Sequence, residues 1–553
     1  MVFQRRGKVM SVLVWTLMVV IFSGAADGHR LFRSLKTGSF GRNSFFKPGM
    51  RPQGSSGVPK FMSRAEAEKM YAVRLKQTQQ SRQAFAPSGG PAPAPRPVPV
   101  PQTAPNDTAK GPSTGRIFYI TEYGADPTGA SDSTRALMMA INDAFSLSTE
   151  VQLMPGVSDY GGAEIHLQGG NYKLSAPLRV PGGGGNILIH GGTLRASEDF
   201  PKDRYLIELW SPSSTKINPS LTSAELVTAL QNAVDGNSDR TASYEDITLR
   251  DLMLDANFRG GGILVIHSVR TNIDNCYISH FTSDGIMVQR GHETYIRNSF
   301  IGQHITVGGS NNEKRFTGTG ICLVGNDNAV TDVVIFSAAV GIDVRGQANS
   351  FIGVHCYNKA TVFGGVGIWL RSPGNTQTRI VSCYMDYTGI VAEDPVQLDI
   401  TNSFFLGDAT ITLKSKENKI VKGVNIVDNA FYGLRKGVSI VKLEGSFDTV
   451  EQTVVDRNNA YEMALKSTVA RGTVQGSGTT WTVDFSPFLL FPDLIQHVQY
   501  SFYTAVKSSF PRHALRSVSN NKVVVESDVA VPATVAVTVD QSATFIQGQG
   551  IYS

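Results

Sequence analysis

The acidic and basic side chains that could do chemistry in this 553-residue chain stand at the edges of a repeated short strand. Asp284 immediately precedes Gly285-Ile286-Met287-Val288, and Arg290 follows that run. Asp343 lies inside Gly341-Ile342-Asp343-Val344, with Arg345 directly after it. Strand side chains alternate, so if Ile342 and Val344 point into a core, Asp343 and Arg345 point outward to a shared surface. A planar guanidinium on such a surface suits a carboxylate ligand. Further acids are Asp255, just before a glycine cluster, and Asp386, three residues before Gly389. Asp327, in Gly325-Asn326-Asp327-Asn328, reads as a turn residue. His292-Glu293 has no second histidine at zinc spacing, so no metal and no cofactor is assigned.

The elements that must position these residues announce themselves by repetition. Gly262-Ile263-Leu264-Val265 recurs in kind at Gly285, Gly320, Gly341, Gly367 and Gly389, at steps of 23, 35, 21, 26 and 22 residues. A period in the low twenties that tolerates insertions marks a solenoid. A second phrase falls between these, as in Ile273-Asp274-Asn275-Cys276-Tyr277 and Ile296-Arg297-Asn298-Ser299-Phe300, with copies at Ile380, Ile400 and Val427. An Asn at that slot tolerates left-handed geometry, and stacked copies (Asn275, Asn298, Asn402, Asn429) would form a hydrogen-bonded ladder at a turn. Short strands with a turn Asn predict an all-β chain built as a right-handed parallel β-helix. No heptad or leucine-rich pattern supports a helical or leucine-rich repeat.

Composition divides the chain. Residues 1–115 hold 17 Lys and Arg against 4 Asp and Glu, whereas the remainder holds 34 against 42. Residues 1–26 read as a secretory signal, with Arg5, Arg6 and Lys8 before the apolar run Met10 to Phe22 and small residues at Ser23-Gly24-Ala25-Ala26. Residues 27–115 read as a basic, Pro-rich linker, with a capping box at Ser63 and a glycosylation sequon at Asn106. The expected product is extracellular, without stable membrane insertion. The β-helix is expected over 116–466. An amphipathic helix carrying Leu137, Ile141, Ala144 and Phe145 would plug its first rung, and a short surface helix is expected after Thr222. Residues 467–553 show alternating runs around Trp481, Lys522 and Ala533 and predict a small antiparallel β domain, which could bind carbohydrate, mediate oligomerisation or, the reading favoured here, cap the last rung. Cys276, Cys322, Cys356 and Cys383 read as small buried hydrophobes, with one or two disulfides left open in an exported protein.

The phrase from Tyr123-Gly124-Ala125-Asp126 through Asp132-Ser133-Thr134 resembles the start of polygalacturonases and related pectate-lyase-type β-helices, as does Gly169-Gly170-Asn171-Tyr172 through Leu178. Within that group the chain looks like the divergent quartet-type plant polygalacturonases, which separate pollen grains from their tetrads. The resemblance implies a glycoside hydrolase acting in the cell wall on an acidic polysaccharide, pectin, and no nucleic-acid partner. Laying the family's motifs on the rungs puts the second Asp of its Asp-Asp pair on Asp284, replaces the first by Ser283, and replaces the His of Gly-His-Gly by Thr319. Its Arg-Ile-Lys position falls on Asp343-Val344-Arg345. The register therefore survives while most of the usual catalytic set does not. Asp284 is expected as general acid and Asp343 as the group that positions or activates water, with Arg345 and Arg290 holding substrate carboxylates. Two rungs at roughly 4.8 Å would place Asp284 and Asp343 about 9.6 Å apart. Two rival readings remain: a Ca²⁺-dependent pectate-lyase-type eliminase, and a β-helix that binds wall polysaccharide without cleaving it.

Overall fold

The computed structural model describes residues 116–210, 242–304, 316–357, 364–504 and 510–542. The signal, the linker with its Ser63 capping box and sequon, and the helix expected after Thr222 lie outside the described residues. The rest is a parallel β-helix followed by a four-stranded antiparallel sheet.

Each coil contributes strands to successive parallel ladders. The wall that concerns function is built from Tyr205–Leu209, Gly261–Ile266, Asp284–His292, Thr319–Asn326, Val340–Val344, Val366–Leu370 and Ile390–Glu393. Its register is fixed by an inward column, Ile207, Ile263, Ile286, Ile321, Ile342, Ile368 and Ile390, each paired with the next. All seven are buried in one continuous core. A one-residue slip in any coil would turn its isoleucine outward, so hydrophobic pattern alone specifies the stacking.

The repeated glycine has a steric cause. A Cβ on Gly285, Gly320 or Gly341 would meet the carbonyl oxygen of the glycine one coil on at 2.4 to 2.6 Å. The rungs cannot approach at this point unless the side chain is absent.

The turn ladder differs from the sequence expectation. Asn275, Asn298 and Asn402 do take left-handed φ, near 50°. Asn275 and Asn298, however, donate to Asp251 and Asp274 on the preceding coil, at 2.7 and 3.0 Å, not to one another. In the Val427 copy the left-handed residue is Asp428, and Asn429 occupies the next, inward position. There it bonds Asn458 and accepts from Ser403 N–H at 2.9 Å. A second buried pair, Asn328 and Asn349, does the same at another turn. The physical reason is orientation: the left-handed residue points to solvent and the following one into the coil.

The helix Thr134–Phe145 buries Ala136, Leu137, Ala140, Ile141 and Ala144 against the first coil, as its spacing predicts. The phrase before it is a hydrogen-bonded turn. Hydrogen bonds from Thr128 and Ser131 hold the Asp126 carboxyl low, and Ser133 Oγ accepts from Asp126 N–H. All four cysteines are free and buried.

At the other end, Val469–Asp484, His497–Thr504, His513–Ser519 and Lys522–Asp540 form the antiparallel sheet. The runs at Lys522 and Ala533 are one strand, not two. A register shift opposite Gly478 and Thr480 lets it bend near Pro532 without ending. Leu490 and Phe491, between the sheet's first two strands, belong to the β-helix core.

Candidate active site

Asp284 opens its strand and pairs in register with Thr319, which pairs with Val340. Tyr205 donates its hydroxyl to Asp284 Oδ2 at 2.7 Å. The ring has room because Gly261 stands beside it: a Cβ there would lie 2.3 Å from the Tyr205 ring. Burial pushes the Asp284 carboxyl up to about 6, and the negative charge of Asp343 adds to the rise. Hydrogen bonds from Tyr205 and Thr319 and the charge of Arg345 oppose it. The Tyr205 hydroxyl is itself held well above its ordinary value by burial and by Asp284, so it remains a donor.

Asp343 lies in the adjoining outward row, Leu264, Met287, Cys322, Asp343, Trp369 and Val391. Only 4% of it is exposed. Its Oδ2 accepts from Arg345 at 2.8 and 3.1 Å and from Arg371 at 3.1 Å. Its Oδ1 is buried and accepts nothing. Two guanidinium groups on one oxygen offset the cost of burying this charge.

The wall therefore gathers Asp284, Asp343 and Arg345 on its outer side. The register adds a stagger that rung counting misses. The neighbour of Asp284 two coils on is Val340, three residues short of Asp343. The carboxylates lie diagonally, so rung spacing alone understates their separation. Arg290 is six residues along the strand from Asp284, about 20 Å at the usual rise, where its charge reaches His267.

The remaining acids go elsewhere. Asp255 pairs with His280 and Arg195 one coil earlier. Asp327 is an exposed turn residue with φ 57°. Asp386 is buried on a different wall, where burial pushes it up to about 6. His292 is exposed, and its neighbour Glu293 is bonded to Arg270.

Sequence reasoning missed Tyr205, Arg371 and Trp369. The Arg371 guanidinium lies over the Trp369 ring, 4.6 Å from its centroid, and Trp369 Nε1 donates to Glu393 at 3.2 Å. Trp369 sits at the place in its rung that Asp343 holds in the preceding one. That alignment is the signal that could have found it. Thr319, noted only as a replacement for a histidine, is the in-register neighbour of Asp284.

A search of family models gives no match. Among solved structures the chain is similar to ORF18 of Geobacillus virus E2, at 12% identity over 75% of this chain and 78% of that one, with a TM-score of 0.44. It is also similar to the tailspike protein gp49 from Pseudomonas phage LKA1, at 10% identity over 77% and 100% of the two chains, with a TM-score of 0.41. Against Polygalacturonase QRT3 of Arabidopsis thaliana it is 58% identical over 431 residues, covering 77% of this chain and 84% of that protein. Identity of that extent leaves no freedom in the fold, and the chain belongs to the polygalacturonase family.

Proposed function

We propose that the chain hydrolyses galacturonan in the cell wall, with Asp284 as general acid and Asp343 handling the water. The observation that carries this reading is a carboxyl pushed up to about 6 on the same outer wall as a carboxylate paired with two arginines. One carboxyl is suited to hold a proton and the other is bound by two guanidinium groups, and glycoside hydrolysis needs two carboxyls in different roles. Asp284 gives its proton to the leaving glycosidic oxygen. Asp343 accepts a proton from the attacking water. Tyr205 then stabilises the carboxylate left on Asp284. Arg345 and Arg371 place positive charge beside the cleavage point, where a uronate polymer carries negative charge.

The test is purified protein on de-esterified polygalacturonate, with chain length and reducing ends both followed. New reducing ends without an unsaturated, ultraviolet-absorbing terminus are expected. Asp284→Asn should lower kcat by about 10² to 10⁴ with an unchanged circular dichroism spectrum. Unsaturated products lost on chelation would instead indicate an eliminase, and full activity in Asp284→Asn would remove that residue from the mechanism.

A further inference from the structure

The turn before Gly261 holds a cluster that the mechanism above does not use. Asp255 ends its strand, Asn257 and Phe258 follow in left-handed conformation at φ 50° and 56°, and Arg259 leads into Gly260. His280 lies against this turn from the next coil, also left-handed at 56°. Its carbonyl accepts from Phe258 N–H at 2.7 Å. A left-handed phenylalanine is uncommon, because a bulky side chain has little room there. Such strain persists only where the surroundings enforce it.

The enforcement is visible. Asn257 N–H donates to Asp255 Oδ1 at 2.9 Å, and its side-chain amide donates to Ala196 O and Glu198, both at 3.1 Å. The result presents the Phe258 ring, 45% exposed, with its centroid 4.8 Å from that of His280 and 5.5 Å from that of His304. His280 is fixed in turn, since its Nδ1 bonds Asp255 Oδ1 at 2.8 Å.

Charge is unbalanced at this turn. Asp255 is shared by His280 and Arg195. Arg204, next to Gly260, is taken up by Glu208. Arg259 N–H donates to Ala256 O at 2.8 Å, but among the described residues its guanidinium has no partner, and its Nε is buried without an acceptor. A buried donor left unmatched in an otherwise matched turn calls for an acceptor from outside.

The turn adjoins the strand that Asp284 opens. Gly260 O accepts from Thr282 N–H at 2.8 Å, in the link that delivers Asp284. Gly261, two residues after Arg259, lies against both Tyr205 and the Asp284 carbonyl.

We infer that Phe258, Arg259 and His280 form a uronate subsite flanking Asp284, in which the sugar's C–H face packs on the Phe258 ring and its carboxylate is held by Arg259. The inference rests on the galacturonan reading. An exposed aromatic ring offers apolar area without rotamer cost, and a guanidinium fork matches a carboxylate in two hydrogen bonds. The oriented His280 supplies a polar edge for a ring hydroxyl.

The experiment compares wild type, Arg259→Ala and Phe258→Ala on de-esterified and on fully methyl-esterified polygalacturonate, with thermal melting of each variant. Arg259→Ala should raise KM at least tenfold on the de-esterified polymer and by a clearly smaller factor on the ester, because the ester keeps a carbonyl acceptor but carries no charge to lose. Phe258→Ala should raise KM on both. An unchanged KM for Arg259→Ala on the de-esterified polymer overturns the subsite while hydrolysis stands. If wild type cleaves neither polymer, the hydrolytic reading fails, and calorimetric titration with trigalacturonate decides the subsite alone. Binding at least tenfold weaker in Arg259→Ala sustains it; equal binding, or no binding to wild type, overturns it.

Discussion

Burial without a partner moves a carboxyl's proton, and two aspartates of this chain show the same shift in different company. Asp284 and Asp386 are both pushed up to about 6 by burial. Asp284 receives a hydrogen bond from Tyr205, whereas Asp386 accepts none from a described residue and its charge reaches only the tyrosines around it. If Asp284 is the acid, activity should fall as pH rises through about 6, where its proton is lost. Tyr205→Phe removes the bond that favours the charged form, so the Asp284 value should rise and the falling limb of the pH–kcat profile should move upward by about one unit. An unmoved limb would show that another group controls it. Asp386 gives a stability counterpart. Its folded value lies above the unfolded one, so no penalty exists at pH 3, and stability is lost as pH rises from about 4 to 6. Asp386→Asn should therefore stabilise at pH 7 and not at pH 3, by up to about 3 kcal/mol, read as a melting-temperature difference that opens with pH. Asp284 was legible in the sequence because it sits one residue before a rung glycine. Tyr205 was not, because it stands 79 residues away and is brought in by stacking.

At the scale of the strand, the glycine and the isoleucine of each phrase do separate jobs. The isoleucines lock register, and the glycines let the backbones close. Both were readable because a stacked structure writes its geometry into the sequence once per coil. The asparagine slot was read less well, since two adjacent turn positions, one facing out and one facing in, both accept Asn. The lateral placement of Asp343 was also only half readable: alternation gives its face, but the stagger against Asp284 depends on insertions between coils that periodicity does not resolve. The same logic yields a stability expectation. Ile321 lies between Ile286 and Ile342 and is fully buried. Ile321→Ala should cost about 2–5 kcal/mol in thermal or denaturant unfolding. A cost below about 1 kcal/mol would mean that the column packs loosely enough to refill the space.

For the whole molecule the difficulty is that a stack has two ends, and each would leave a core cross-section in water. The N-terminal end is covered by the helix Thr134–Phe145. The C-terminal end is met by the segment before the second strand of the antiparallel sheet, where Leu490 and Phe491 join the cluster that includes Ile440, Val455 and Met463. Hydrogen bonds tie the sheet to this closure: Phe491 N–H donates to Gln541 at 3.1 Å, and Gln541 N–H donates to Thr468 O at 2.8 Å. The segment carrying Leu490 and Phe491 thus closes the last coil. Burying two large side chains contributes about 1.5–3 kcal/mol each, enough to matter against a typical margin of about 5–15 kcal/mol. The double substitution Leu490→Ser and Phe491→Ser should therefore lower the melting temperature by several degrees and expose apolar surface to a hydrophobic dye. A chain ending at residue 466 should aggregate, as seen by light scattering, because its last rung offers unpaired strand edges as well as an open core. If the shortened chain stayed monodisperse and melted where the full one does, the last coil would be closing itself, and the sheet would have to be explained by a partner.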